Sequence, residues 1–288
     1  MTHMDTSPLV SAAWLRANID APDIRLVDAT WYLDAATRET SARAAFEAEH
    51  IPGAVFFDID EIRDHTTDLP HMMPSTTAIS SKVRKMGLGD GNRLVIYDRN
   101  NFMASARVWW MFRVLGQEEV FVLDGGLDAW TDVGGSVTDE LTIPVERHFT
   151  PRVRGDLIRD LDQMAAAITN PAKTILDARP TGRFTGEAPE PRAGLPSGHM
   201  PGARNIPAGS LIEEDGRMKS PEALARIFDG ISGRVITTCG SGVTAATLAL
   251  ALATVGHDDA AVFDGSWAEW ASTEGYPIET GAGAHGGG

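Results

Sequence analysis

The chain has 288 residues, a formal net charge of −15 and one cysteine. Its length suits two domains of ordinary size, and its 43% hydrophobic content is typical of a globular protein. The negative charge disfavours nucleic acid and anionic membranes as partners, because both would be repelled overall. One cysteine excludes an intramolecular disulfide framework and fits a reducing compartment.

Several absences in the sequence limit the possible functions further. The N-terminus lacks a basic region followed by an apolar one, and there is no apolar run of about 18 residues. We therefore expect a cytoplasmic protein that does not contact membranes. The sequence has no cluster of cysteine and histidine that would predict a metal site, and no motif in it implies a cofactor.

Strand and helix patterns alternate along the first half of the chain, which is typical of an α/β fold. Ser11 and Ser75 are suited to cap helices. We predict strands at 24–28, 55–57, 94–97 and 120–123, and helices at 11–18, 42–49, 75–86, 104–115 and 126–130.

The same order of motifs returns in the second half. The acidic strand ends Asp28 and Asp177 lie 149 residues apart, and so do the two His-x-Pro-Gly-Ala turns that begin at His50 and His199. Matching motifs near the ends of the two copies lie only 140 residues apart, compared with 149 for the earlier motifs. The first copy therefore has nine extra residues, which we place within 58–74. The sequence therefore predicts a duplicated α/β domain, each copy with a parallel sheet flanked by helices.

The cysteine lies in the second copy, between a predicted strand and a predicted helix. The β-branched residues 235–238 favour a buried strand, and Gly240 and Gly242 allow the backbone after Cys239 to curl until several N–H groups point inward. A loop of this kind at a helix N-terminus binds anions, so it should favour the thiolate. A buried structural thiol is the alternative. The position at the carboxyl end of a strand, where open α/β sheets bind ligands, argues against it.

Only the second copy carries this nucleophile. An offset of 140 residues aligns Cys239 with Arg99 in the first copy. We predict a non-catalytic N-terminal domain at 1–140, a linker at 141–155, a catalytic domain at 156–280 and a flexible tail at 281–288.

These motifs together resemble one family, the tandem-domain rhodanese-like sulfurtransferases. The resemblance rests on the two turns at His50 and His199, the loop Cys-Gly-Ser-Gly-Val-Thr at 239–244 and the segment Phe-Asp-Gly-Ser-Trp at 263–267, and it covers nearly the whole chain. It implies that Cys239 accepts a sulfur atom as a persulfide and passes it to a thiol, such as thioredoxin, or to cyanide. The same N–H groups would stabilise both thiolate and persulfide.

The loop composition resembles members of the family that use 3-mercaptopyruvate as the sulfur donor. Members that prefer thiosulfate carry arginine and lysine directly after the cysteine, whereas this chain has Gly240 and Ser241. The resemblance also implies that Gly242, Val243 and Thr244 complete the substrate loop. A thiosulfate:cyanide sulfurtransferase is the alternative function.

Two arginines resemble the family's clamp for the substrate carboxylate. Arg183 and Arg192 lie in a loop before the second His-x-Pro-Gly-Ala turn, and the planar guanidinium suits a keto acid. The alternative is that both arginines form surface ion pairs with Glu187 and Glu190, which would contribute little.

The extra segment of the first copy supplies a possible proton relay. Asp60 and His71 resemble family residues that reach the cleft, where Ser241 would complete the relay. A histidine there could carry the proton that moves when the C–S bond breaks. The alternative is an ordinary loop histidine and a helix-capping aspartate.

Two other classes of function remain as rivals. A cysteine phosphatase would carry an arginine six residues after the nucleophile, but that position is Ala245. Rhodanese-like domains can also lose their cysteine and act as binding modules, a role that the N-terminal copy could play.

Overall fold

A computed structural model describes residues 7–33 and 41–283 of the chain. The chain divides into two compact units, and each includes a short segment from the opposite half of the sequence. Unit 1 comprises the residues up to His65, Met73–Arg154 and Glu213–Met218, and unit 2 comprises Thr66–Met72, Gly155–Ile212 and the residues from Lys219 onward. The domain boundaries from the sequence stay a prediction.

Unit 1 is built on a five-stranded parallel sheet. The strand order is β1-β5-β4-β2-β3. The strands are β1 (Leu9–Val10), β2 (Ile24–Asp28), β3 (Val55–Phe56), β4 (Arg93–Tyr97) and β5 (Val120–Leu123). The helices of unit 1 are α1 (Ala12–Asn18), α2 (Ala42–Ala48), α3 (Thr76–Lys85), α4 (Ser105–Val114) and α5 (Gly126–Asp132).

Unit 2 repeats this topology strand for strand. Its sheet is parallel, with the order β6-β10-β9-β7-β8. The strands are β6 (Ile158–Arg159), β7 (Lys173–Asp177), β8 (Arg204–Asn205), β9 (Arg234–Thr238) and β10 (Ala261–Phe263). The helices are α6 (Leu161–Ala167), α7 (Thr181–Thr185), α8 (Pro221–Ile227), α9 (Ala245–Thr254) and α10 (Ser266–Ser272). The predicted pair of α/β domains with parallel sheets is confirmed.

Local sequence explains where these elements begin. Ser11 and Ser75 cap α1 and α3 through their side chains, as predicted. Asp160 and Gln163 form a capping box at the start of α6. The short edge strands β1 and β6 were not predicted, because two residues give no periodicity to detect.

The cores of both units lie against their sheets. Helix α9 is buried along nearly its whole length, which agrees with its run of alanine and leucine. Four tryptophans belong to these cores and are at most 2% exposed: Trp109, Trp110, Trp267 and Trp270. Among the residues that the structure describes, no helix has the length and apolar character to cross a membrane. The predicted flexible tail lies mostly outside the described residues.

Candidate active site

The cysteine loop connects the carboxyl end of β9 to the start of α9. Cys239 directly follows the strand and is 2% exposed. Its backbone N–H donates to Ser266 Oγ at 3.2 Å, and its carbonyl accepts from Trp267 N at 3.0 Å. The next carbonyl, of Gly240, accepts from Ala268 N at 3.0 Å. The start of α10 therefore fixes the nucleophile, and the N–H of Cys239 itself is directed to Ser266.

The rest of the loop turns the chain into the helix. Gly242 has a φ of +78°, a left-handed conformation that favours glycine. The carbonyls of Val243 and Thr244 accept from the N–H groups of Ala246 and Thr247. Thr244 caps α9 without a side-chain hydrogen bond.

The corresponding loop of unit 1 corrects one expectation. Asp98 directly follows β4, and its carbonyl accepts from Leu127 N at 3.1 Å, just as the Cys239 carbonyl accepts from Trp267 N. The structural counterpart of Cys239 is therefore Asp98, and the alignment with Arg99 was wrong. The loop after β4 is one residue longer than the loop after β9. The offset of 140 residues therefore applies only after these loops and not at the ends of the strands.

Asp98 shows what this kind of loop holds. Its carboxylate is buried and accepts four backbone N–H groups of the loop and of the start of α4. A carboxylate thus lies in unit 1 at the loop position that Cys239 holds in unit 2. The four donors, at 2.9 to 3.2 Å, are the N–H groups of Asn100, Phe102, Ala104 and Ser105.

Two members of the expected relay lie together in unit 2. His71 Nδ1 is 3.1 Å from Ser241 Oγ, and both residues are buried. His71 has a φ of 59°, an uncommon backbone conformation of the type that concentrates at functional sites. The third member, Asp60, belongs to unit 1, where it is exposed and accepts a hydrogen bond from Trp31 Nε1 at 2.8 Å. The relay stays a prediction.

Both expected clamp arginines reach the cysteine loop. A Cβ atom at position 240 would lie 2.9 Å from Arg183 Nη2 and 3.7 Å from Arg192 Nη1. Because glycine has no side chain, position 240 leaves space for the two guanidinium groups next to the residue after Cys239. Together they concentrate positive charge there, in a chain whose net charge is −15.

The ion pair of Arg183 differs from the surface alternative. Arg183 does pair with Glu190, at 2.5 Å between Nη2 and Oε2, but the Glu190 side chain is only 1% exposed. Glu187, the other carboxylate of that alternative, is exposed. The pair thus belongs to the interior of the site and not to its surface.

Sequence reasoning missed Ser266 and the burial of Glu190. Ser266 has a φ of 51°, and its counterpart in unit 1 is Gly126, with a φ of 56°. A serine at a position where the other copy has glycine is a signal that could have marked Ser266. Sequence alone gave no sign that Glu190 is buried.

The histidines of the two His-x-Pro-Gly-Ala turns each contact a backbone carbonyl. His50 Nδ1 lies 2.7 Å from the Phe46 carbonyl, and His199 Nδ1 lies 2.9 Å from the Phe184 carbonyl. Within residues 7–33 and 41–283, no group of three or more histidine, cysteine, aspartate or glutamate residues could hold a metal ion.

Comparison with known proteins identifies the family of this architecture. The model of the rhodanese-like domain matches residues 11–132 and again residues 160–273. The chain belongs to the rhodanese-like domain family. The expected tandem arrangement of two rhodanese-like domains is thereby confirmed.

Relatives in this rhodanese-like family carry two kinds of donor name. The chain is 37% identical to the 3-mercaptopyruvate sulfurtransferase of Escherichia coli K12, over 96% of this chain and 99% of that protein. It is 39% identical to the thiosulfate sulfurtransferase of Rattus norvegicus, over 91% of each chain. The crystal structure of the 3-mercaptopyruvate sulfotransferase SseA from E. coli superposes with a TM-score of 0.82 at 35% identity, covering 91% of this chain and 99% of that one.

Proposed function

We propose that this protein is a sulfurtransferase that takes sulfur from 3-mercaptopyruvate and releases pyruvate. Membership of the rhodanese-like family and the relatives' names support sulfur transfer. The observation that carries the choice of donor is local. Cys239 is followed by the neutral pair Gly240 and Ser241, while two guanidinium groups lie beside Gly240. Such a site would bind the carboxylate of the donor at the two arginines while the sulfur of the donor meets Cys239.

The reaction follows from this arrangement. The Cys239 thiolate attacks the donor sulfur, the C–S bond breaks, and its electron pair passes to carbon as the enolate of pyruvate. One proton then converts the enolate to pyruvate, and the sulfur remains on Cys239 as a persulfide. Arg183 and Arg192 would hold the carboxylate throughout. Gly242, Val243 and Thr244 would direct the loop N–H groups toward the charged sulfur.

The proton step would use the buried pair in unit 2. The hydroxyl of Ser241 contacts His71 at 3.1 Å, so a proton could pass between the ring and a substrate held at the loop. Asp60 would complete the relay of the sequence-based hypothesis. In the second half-reaction, an acceptor thiol, such as that of thioredoxin, or cyanide attacks the outer sulfur of the persulfide and restores Cys239.

The alternative donor is thiosulfate, and the rat relative's name favours it. Charge argues against it, since thiosulfate is a compact dianion and the two residues after Cys239 are uncharged. Because the single cysteine must stay reduced to act, we also propose a cytoplasmic location.

Steady-state kinetics with both donors test this function. We expect kcat/KM to favour 3-mercaptopyruvate over thiosulfate by at least about tenfold, which requires only ~1.4 kcal/mol of differential stabilisation. Cys239→Ser should retain the fold and lose turnover with both donors, because a hydroxyl is a far weaker nucleophile at neutral pH. Equal use of the two donors would contradict the donor assignment, and turnover by the serine variant would contradict the mechanism.

A further inference from the structure

A buried carboxylate joins two arginines behind the cysteine loop. Glu190 Oε1 accepts from Arg179 Nη1 at 2.8 Å and from Arg183 Nε at 3.0 Å, and Glu190 Oε2 accepts from Arg183 Nη2 at 2.5 Å. The Glu190 side chain is 1% exposed, compared with 16% for Arg183. Burial of this carboxylate makes its interactions with neighbouring charges strong, because water does not screen them.

Behind Glu190, the second arginine is fixed on several sides. Arg179 donates to both oxygens of Asp177 and to the Gly198 carbonyl, and its guanidinium lies 4.2 Å from the centre of the Trp267 ring. Burial alone would lower the pKa of Arg179, but the carboxylates of Asp177 and Glu190 raise it. Arg179 is therefore a fixed cation that holds Glu190 in place.

Arg183, the first arginine, lies between Glu190 and Gly240 of the cysteine loop. Its Nη2 donates to Glu190 and is also the atom closest to where a Cβ at position 240 would lie. The bidentate pair fixes the plane of the guanidinium, which decides where its remaining donors point. The same pair places the Glu190 carboxylate next to the guanidinium that, in the proposed function, would bind the substrate carboxylate.

We propose that Glu190 is a positioning residue that also sets the donor specificity of this site, because its buried charge reduces the positive charge presented beside Cys239. The inference rests on the proposed function and extends it to the choice between donors. Coulomb energy scales with the product of the charges, so one extra positive charge favours a dianion about twice as much as a monoanion. By keeping the site less positive, Glu190 favours a singly charged keto acid over a compact dianion.

Two substitutions at this position separate charge from geometry. Glu190→Gln keeps the size and one acceptor oxygen but removes the charge. Glu190→Asp keeps the charge but shortens the side chain, so Arg183 loses its fixed orientation. Glu187→Gln is the matched control, since it removes the same charge from an exposed side chain three residues earlier.

The experiment measures anion binding without requiring turnover. Iodoacetamide, which is uncharged, alkylates the only thiol of the chain, and bound anions should protect Cys239. The protecting concentrations of pyruvate, a monoanion, and sulfate, a dianion, are compared in the wild type and the three variants. The ratio of kcat/KM values for 3-mercaptopyruvate and thiosulfate is measured in parallel.

We expect Glu190→Gln to shift the protection ratio toward sulfate and the kcat/KM ratio toward thiosulfate, each by at least about fivefold. Glu190→Asp should weaken the binding of both pyruvate and sulfate, and it should raise KM for 3-mercaptopyruvate more than it lowers kcat. The two ratios should stay unchanged. Glu187→Gln should match the wild type.

Equal ratios in Glu190→Gln and Glu187→Gln would overturn the inference. If the glutamine variant does not fold, a ratio shift toward the dianion in Glu190→Asp would overturn it instead, because that variant keeps the charge. Failure of the proposed function would be seen separately, as a wild type that turns over neither donor while its protection ratios still report the role of Glu190.

Discussion

The loops after β4 and β9 begin at equivalent positions of their sheets and carry different side chains there. In unit 1 the first residue of the loop is Asp98, whose carboxylate satisfies four N–H groups of the same loop. In unit 2 the first residue of the loop is Cys239. The fold therefore places a loop at the same end of the same strand twice. The side chain at this one position is a carboxylate held by the loop in unit 1 and the candidate nucleophile in unit 2.

A second difference concerns the arginines. Arg192 lies in a loop beside Gly240, whereas Arg43 lies in α2 of unit 1 and pairs at the surface with Glu61 at 3.1 Å. The side chains of Arg43 and Glu61 are 46% and 62% exposed, so solvent screens the pair. Arg43 is therefore an ordinary surface arginine, whereas the position of Arg192 beside the cysteine loop makes it a candidate for substrate binding.

The largest expected effect comes from making the second loop resemble the first. Cys239→Asp should abolish sulfur transfer, because a carboxylate cannot form a persulfide. The loop N–H groups should hold this carboxylate as they hold Asp98, so Tm should be no lower than that of Cys239→Ala. Thermal unfolding of the two variants measures this. An aspartate variant that melts more than about 5 °C below the alanine variant would show that the two loops are not equivalent.

The next effect concerns the filled loop. Asp98→Ala leaves four buried N–H groups without their acceptor, which should destabilise the loop by about 3 kcal/mol. Hydrogen exchange of the amides of Asn100–Ser105 should accelerate by roughly 100-fold, which corresponds to that energy. Glu118→Ala, at an exposed carboxylate of the same unit, is the control and should leave this exchange unchanged. Unaltered exchange in Asp98→Ala would mean that the carboxylate does not stabilise the loop.

A smaller effect is expected at the arginines. Arg192→Ala should lower kcat/KM for 3-mercaptopyruvate by about 2 kcal/mol, mostly through KM, because it removes one charge-assisted contact to the carboxylate. Arg43→Ala should have no effect on the kinetics. Steady-state assays of both variants measure kcat/KM for 3-mercaptopyruvate. Equal kcat/KM values for the two variants would show that Arg192 has no role in substrate binding.

Much of the fold could be predicted from the sequence. The strand predicted at 24–28 is observed as Ile24–Asp28, because its apolar pattern and acidic end are both local signals. The repeated turns at His50 and His199 revealed the duplication. The edge strands Leu9–Val10 and Ile158–Arg159 could not be predicted, since they exist only through pairing with β5 and β10.

The site was predicted only in part, for physical reasons. The glycines around Cys239 and the arginines beside them left a pattern in the sequence. Asp98 was missed because one extra loop residue hides the correspondence until strand register is known. The burial of Glu190 depends on Arg179 and Arg183 enclosing it, and no local pattern encodes such an enclosure.

Sulfur bound to Cys239 is the central claim, and intact mass measures it directly. After incubation with 3-mercaptopyruvate and removal of small molecules, the wild type should gain about 32 Da, one sulfur atom on its only thiol. Reducing agent should remove this mass, and Cys239→Ser should not gain it. A wild type whose mass does not change, or a serine variant that gains the same 32 Da, would contradict the persulfide mechanism.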